Sequence, residues 1–172
     1  MSTIIPLLVA VAVGLGSSAQ IAMIGGMARV RSAPEATFTS MMATLAGIGL
    51  VLAIRGFRGD APQYFAPLDR GTTFLVVAAV SVVMLVLSMK GLHPAYAITG
   101  IFATAFLLGT AALVPRLGVA LFFAANTAGS LIGALIFDQL GAFGAPPAHL
   151  SPLRIIGVLA VFAGVTLVRI AK

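Results

Sequence analysis

The sequence predicts an all-α fold, a polytopic membrane helix bundle of about six transmembrane helices. Of its 172 residues 60% are apolar and only 8% are charged, whereas about a quarter of the residues of a globular domain are charged. A helix crosses the hydrocarbon core of a bilayer with roughly 20 mostly apolar residues. Most of the uncharged stretches of this chain are long enough to cross a bilayer. These stretches are 1–28, 36–54, 71–89, 91–115, 117–137 and 155–168. We therefore predict a single transmembrane domain over 1–172.

The first half of the chain predicts three helices. Helix 1, over 4–27, opens near Pro6, which a first helical turn tolerates because its N–H would have no partner there. Helix 2, over 35–54, follows the segment Ser32-Ala33-Pro34-Glu35, a pattern typical of a helix start. Residues 55–70 carry glycines and prolines and should form a loop. Helix 3, over 72–89, is short, and spans only if it is upright or if Arg70 and Lys90 snorkel.

The second half predicts three more helices. A turn at Gly91-Leu92-His93 leads into helix 4, over 94–114. Pro115 to Gly118 should break the chain before helix 5, over 119–137, which Asp138 closes. Helix 6, over 152–170, has few residues between its two arginines, so both must snorkel if it spans the bilayer.

The charged and reactive residues exclude several function classes. The net charge of +6 comes from Arg and Lys that stand singly or in pairs, without the basic face that nucleic acid needs. Cysteine is absent, and His93 and His149 lack metal-ligand spacing. All four carboxylates lie in loops or at helix ends, so no nucleophile, base and orienting group come together. We expect no metal, no cofactor and no enzymatic activity.

The distribution of basic residues gives a prediction of orientation. With six spans, one side of the membrane holds six Arg or Lys residues and the other holds four. The positive-inside rule then favours both termini in the cytoplasm. The small difference leaves insertion in both orientations open.

Helices 1 and 5 carry ridges of small residues at intervals of four. Such ridges let two helix backbones approach closely where lipid supplies no hydrophobic drive between helices. We predict that both helices are packed inside the bundle through these ridges, although many membrane proteins have similar ones. The predicted packing residues are Gly14, Ser18 and Ala22 on helix 1 and Gly129 and Gly133 on helix 5.

Two amides and several hydroxyls lie within the predicted spans. An unpartnered amide in hydrocarbon costs several kcal/mol, so these groups either bond between helices or line a polar cavity. In the first interpretation they hold the bundle together; in the second they contact a substrate. The predicted substrate-binding residues are Gln20, Asn126, Ser130, Thr127 and Ser17.

Several motifs in the second half of the chain resemble one known family. They are Val114-Pro115-Arg116-Leu117-Gly118, Asp138-Gln139-Leu140-Gly141, Leu150-Ser151-Pro152-Leu153-Arg154 and Ala163-Gly164-Val165, together with Gln20 and Ala28-Arg29 near the N-terminus. This set resembles the YdcZ-type inner-membrane exporters of the drug/metabolite transporter superfamily. The resemblance covers about 1–55 and 93–172, and Gly71 to Leu92 is expected to be an additional helix. Ser130 stands where the family commonly has glutamine.

The resemblance implies a half-transporter that forms a dimer. Two copies, or one copy and a paralogous half, would enclose a cavity near the membrane midplane. The expected function is export of a small polar or amphiphilic metabolite across the inner (plasma) membrane. The alternative is an accessory subunit that packs against a larger membrane complex and transports nothing.

Overall fold

The computed structural model describes residues 3–60, 62–149 and 151–170, without the side chains of 168 and 169. Within these ranges the protein is all helical and has no strand. The six helices are α1 (Ile4–Val30), α2 (Ala33–Phe57), α3 (Gly71–Ser88), α4 (Thr99–Leu117), α5 (Val119–Leu140) and α6 (Pro152–Ile170), with short 3-10 helices at Pro94–Ile98 and Ala142–Gly144. The predicted all-α class is confirmed within the described residues, and six helices are present there.

Five of these helical segments are long and apolar enough to cross a membrane. They are α1, α2, α3, the segment Pro94–Leu117 that contains α4, and α5, whereas the apolar part of α6, Pro152–Leu167, is shorter. Large apolar side chains such as Leu75, Val83 and Ile101 are exposed on these helices. Exposure of this kind is expected where acyl chains surround the protein, and the fold is that of a multi-pass membrane protein.

The chain divides into two compact units. The first unit comprises Met1–Gly26 and Ala105–Lys172, and the second comprises Met27–Thr104. The first therefore contains most of α1, the later part of α4, α5 and α6. The second contains α2, α3 and the first residues of α4.

In the second unit, α2 begins with the predicted cap. The Ser32 hydroxyl accepts a hydrogen bond from the Glu35 N–H at 3.4 Å, and the Glu35 carboxylate accepts one from the Ser32 N–H at 2.9 Å. This reciprocal arrangement is a capping box, and Pro34 occupies the first turn as expected. The predicted start of helix 2 is confirmed.

Small residues bring the helices of the second unit together. A Cβ added to Gly56 would lie 2.6 Å from the Cα of Gly71, and one added to Gly49 would lie 3.2 Å from Ala78. At the start of α4, a Cβ on Gly100 would lie 2.2 Å from the backbone of Ala43. The backbones of α2, α3 and α4 thus pack with almost no side chain between them at these points.

The predicted ends of helices 1, 2, 4 and 5 each come three residues too early, and for helices 4 and 5 the predicted cause of the end was wrong as well. Pro115 does not end α4, which continues to Leu117. A proline removes only one backbone N–H from the helix, and α4 ends at Gly118, whose φ is 81°. Asp138 does not close helix 5 either. The helix runs on to Leu140 and ends at Gly141, whose φ is 61°.

Candidate functional site: a polar groove along α5

The small ridges of α1 and α5 lie directly against each other in the first unit. A Cβ on Gly14 would lie 2.1 Å from the backbone oxygen of Asn126, and one on Gly129 would lie 2.0 Å from that of Val11. A Cβ on Gly133 would lie 1.9 Å from the Ser18 hydroxyl oxygen. The contacts lead from Gly14 with Asn126 to Ser18 with Gly133, so later residues of α1 meet later residues of α5 and the two helices run parallel.

We call this line of contact between α1 and α5 the seam. Beside it lies a groove of about 360 Å³. Its walls combine apolar side chains with hydroxyl, amide and carboxylate groups. The lining residues are Ser18, Ile21 and Ala22 of α1 and Phe123, Asn126, Thr127, Ser130, Leu131, Ala134, Phe137 and Asp138 of α5. Phe123 and Ile21 are 65% and 67% exposed, so one side of the groove is open.

A single face of α5 forms the groove over most of the helix. The α5 residues that line it recur at intervals of three and four from Phe123 to Asp138, which is the periodicity of one helical face. At 1.5 Å per residue this face is about 22 Å long. The small residues Ala125, Gly129 and Gly133 occupy the neighbouring face and are buried. Packing of that ridge on α1 therefore determines which face of α5 stays open.

The polar groups of the groove differ in how they are bonded. The Ser130 hydroxyl donates to the backbone oxygen of Gly14 at 3.1 Å, across the seam, and the Ser18 hydroxyl donates to Leu15 within its own helix at 2.7 Å. The side-chain nitrogen of Asn126 is buried and has no hydrogen-bond partner within the described part of the chain. Buried amide donors normally have a partner, so this amide, on a residue that lines the groove, is the candidate hydrogen-bonding group of the site.

The structure brings together three of the five predicted substrate-binding residues. Asn126, Thr127 and Ser130 line the groove, but Gln20 and Ser17 are not among its lining residues. Gln20 follows Ser18 by two residues, which turns it about 200° around α1, to the opposite face. The Ser17 hydroxyl donates to the backbone oxygen of Val13 at 3.0 Å.

The predicted substrate-binding residues did not include Asp138, which lines the groove. Its carboxylate lies 3.5 Å from the Arg154 guanidinium of α6, and both side chains are about half exposed. The signal was present, because Asn126, Ser130, Ala134 and Asp138 are spaced by four. Its position at the end of a span favoured a cap or anchor over a substrate contact, because charges at the membrane boundary cost little.

A second cavity, of about 310 Å³, lies in the second unit beside the loop after α2. Its lining residues are Leu52, Arg55, Asp60, Pro62, Gln63 and Tyr64. The Arg55 Nε donates to the Asp60 carboxylate at 2.8 Å, so the two charges in this cavity are already paired. It contains none of the predicted site residues. Among the described residues, no group of three or more His, Asp or Glu is arranged to hold a metal ion.

The comparison with family models agrees with this membrane architecture. Residues 68–167, more than half of the chain, match the family described as "Putative inner membrane exporter, YdcZ". The chain belongs to the YdcZ family. The match contains α3, so the expectation that Gly71 to Leu92 is an addition to the family pattern was wrong. Residues 1–67, including the N-terminal part of the resemblance, lie outside the match.

The groove face of α5 lies entirely within the residues that match the YdcZ family. The α1 residues that complete the groove precede the matched range. No curated protein and no solved structure matches the chain significantly.

Proposed function

We propose that the protein is a small transporter of the inner membrane that exports a small polar or amphiphilic molecule through the groove along α5. The molecule passes unchanged, without enzymatic chemistry or a cofactor. The family to which the chain belongs is described as an exporter. The groove supplies a place in the chain where such a molecule can bind.

The observation that carries this proposal is the unpartnered amide of Asn126. Its nitrogen is buried, yet it lies on a helix long and apolar enough to cross a membrane. Two other polar groups that line the groove, the hydroxyls of Ser130 and Ser18, donate to backbone oxygens. Since burial of an unsatisfied donor costs on the order of 1 to 3 kcal/mol, its retention is explained by a ligand that accepts the hydrogen bond.

The proposal includes a dimer because the groove is open in one chain. Phe123 and Ile21 are exposed at its rim, and Thr127, Ser130 and Asn126 would otherwise lie close to acyl chains. A second copy, or a paralogous half, placed over this face would convert the groove into an enclosed passage. Binding sites near the midplane between two repeats are common in secondary transporters.

The transport proposal is tested by comparing metabolites released from cells. Cells that express the wild-type protein are compared with cells that express Asn126→Leu, and small molecules in the medium are quantified by mass spectrometry. We expect at least one released metabolite to depend on the wild-type protein and to fall to the background level with Asn126→Leu. Gln20→Leu is the matched control, since it removes an amide from the opposite face of α1.

Two results would count against transport through the groove. If no metabolite depends on the wild-type protein, the export function is wrong. If Asn126→Leu exports normally but no longer assembles, the amide is structural, as expected for an accessory subunit.

The dimer is tested by cross-linking at the groove rim. The natural chain has no cysteine, so single cysteines can be introduced without background. We expect Phe123→Cys and Ile21→Cys to cross-link into dimers in membranes, whereas Val83→Cys on the exposed surface of α3 does not. Equal cross-linking at all three positions would argue against an interface at the groove.

A further inference from the structure

One end of the groove is chemically distinct from the rest. Among the described residues that line it, Asp138 alone carries a formal charge. Ionised carboxylates accept hydrogen bonds and attract cations. The groove therefore has a negative end, about 18 Å along α5 from the Asn126 amide.

The ion pair between Asp138 and Arg154 is loose. The closest approach to the Arg154 guanidinium is 3.5 Å, whereas charge-assisted hydrogen bonds between these groups are commonly about 2.7 to 2.9 Å. The loop pair Arg55 and Asp60 shows such a short bond, at 2.8 Å. The Asp138 carboxylate is 53% exposed as well, so another cation can reach it.

Aromatic and apolar side chains adjoin this carboxylate. Phe137 lines the same end of the groove, and its ring packs against Phe143 with the centroids 6.0 Å apart. Aromatic faces attract alkylated ammonium groups. Leu131 and Ile21 continue the apolar wall away from Asp138.

We propose that the groove binds an amphiphilic cation, with its ammonium group at Asp138 and its apolar body along α5. This inference rests on the proposed transport function and specifies its substrate class. Arg154 acts as the internal competitor, and the ammonium group displaces it from the carboxylate. The unpartnered Asn126 amide then favours molecules that also carry a hydrogen-bond acceptor on the apolar body.

The test is a binding measurement on the full-length protein in phosphatidylcholine nanodiscs. The three probes share one chain length and differ in charge: octyltrimethylammonium, octanol and octyl sulfate. Calorimetric titration gives the affinity of each. We expect the wild-type protein to bind octyltrimethylammonium about tenfold more tightly than the other two, after subtraction of binding to empty nanodiscs.

Two substitutions at the ion pair should act in opposite directions. Asp138→Asn should remove the preference for the cation, whereas Arg154→Gln should strengthen cation binding about threefold, because it removes a competitor of an exposed pair. Asp60→Asn is the matched control, since Asp60 is also an exposed carboxylate paired with arginine. It should leave all three affinities unchanged.

The alternative outcomes separate this inference from the transport proposal. It is overturned if the wild-type protein binds no probe, or binds all three equally, or if Asp60→Asn removes cation binding instead of Asp138→Asn. Weaker cation binding in Arg154→Gln would also overturn it, because the pair would then be structural. Metabolite export that depends on Asn126 would persist in each of these cases if only the substrate class is wrong.

Discussion

Helices pack through glycines in both units of the molecule, but the polar side chains near those glycines differ in their surroundings. In both, glycines let helix backbones touch, at Gly14 and Gly129 in the first unit and at Gly56 and Gly100 in the second. In the second unit, buried hydroxyls bond nearby: the Thr39 hydroxyl donates to the backbone oxygen of Glu35 at 3.0 Å. In the first unit, the face beside the glycine seam is open and contains an amide without a partner.

This difference shows that close packing and an accessible polar face can be neighbours on one helix. On α5 the small residues occupy one face and the polar residues the next, so packing on α1 leaves the polar residues uncovered. On α2, Gly49 and Gly56 lie against α3, and the Ser40 hydroxyl lies 3.5 Å from the Thr99 hydroxyl at the start of α4. The unpartnered amide, rather than the small ridge, therefore distinguishes the proposed functional face of α5.

The largest loss of stability should come from a side chain introduced between α1 and α5 in the first unit. Gly129→Ala places a methyl group 2.0 Å from the backbone oxygen of Val11, and overpacking of this kind costs about 1 to 3 kcal/mol. Thermal or chemical unfolding in detergent measures the loss. Gly164→Ala is the control, because nothing lies within 4 Å of the added carbon; similar stabilities for the two variants would contradict the seam.

A smaller effect should come from the start of α2, in the second unit. Ser32→Ala removes one half of the capping box, which is worth about 1 kcal/mol. Amide hydrogen exchange should increase in the first turn of α2 and not in α5. Thr37→Ala, an exposed hydroxyl bonded only within the same helix at 2.9 Å, should change exchange little. Unchanged protection in Ser32→Ala would show that tertiary packing alone fixes this end.

The smallest effects should come from single hydroxyl bonds between helices, which average about 0.6 kcal/mol in membranes. Ser130→Ala loses the bond across the α1–α5 seam, and Thr104→Val loses the bond from α4 to the backbone oxygen of Thr44 on α2. We expect similar small losses of stability, measured by unfolding in detergent. Only Ser130→Ala should also change binding or export, because Ser130 lines the groove. A functional loss in Thr104→Val would remove the distinction between the two units.

Local chemistry explains which features could be predicted from the sequence. The span of each apolar stretch follows from its length, and the capping box at Ser32 depends on four consecutive residues. The ends of α4 and α5 were harder to predict. The last turns of both helices continue past Pro115 and Asp138, until glycines with positive φ at Gly118 and Gly141 end them.

The residues of the groove were predicted only in part for a different reason. The polar face of α5 is visible in the four-residue spacing that begins at Asn126. The position of Gln20 depends on the rotation of α1 about its own axis, and that rotation is fixed by contacts such as Gly14 with the Asn126 backbone. The spacing within helix 1 places Gln20 about 200° from Ser18, but only the contact with α5 shows that the groove lies beside Ser18 and Ala22.

The sequence by itself determined that this is a membrane-embedded helical protein with few polar side chains inside its spans, because hydrophobic length and the cost of buried charge act locally along the chain. The tertiary structure decided which of those side chains share a groove and that Asp138 stands at its end. Those facts depend on how two helices rotate against each other, and the closest packing of glycine ridges from distant parts of the chain sets that rotation.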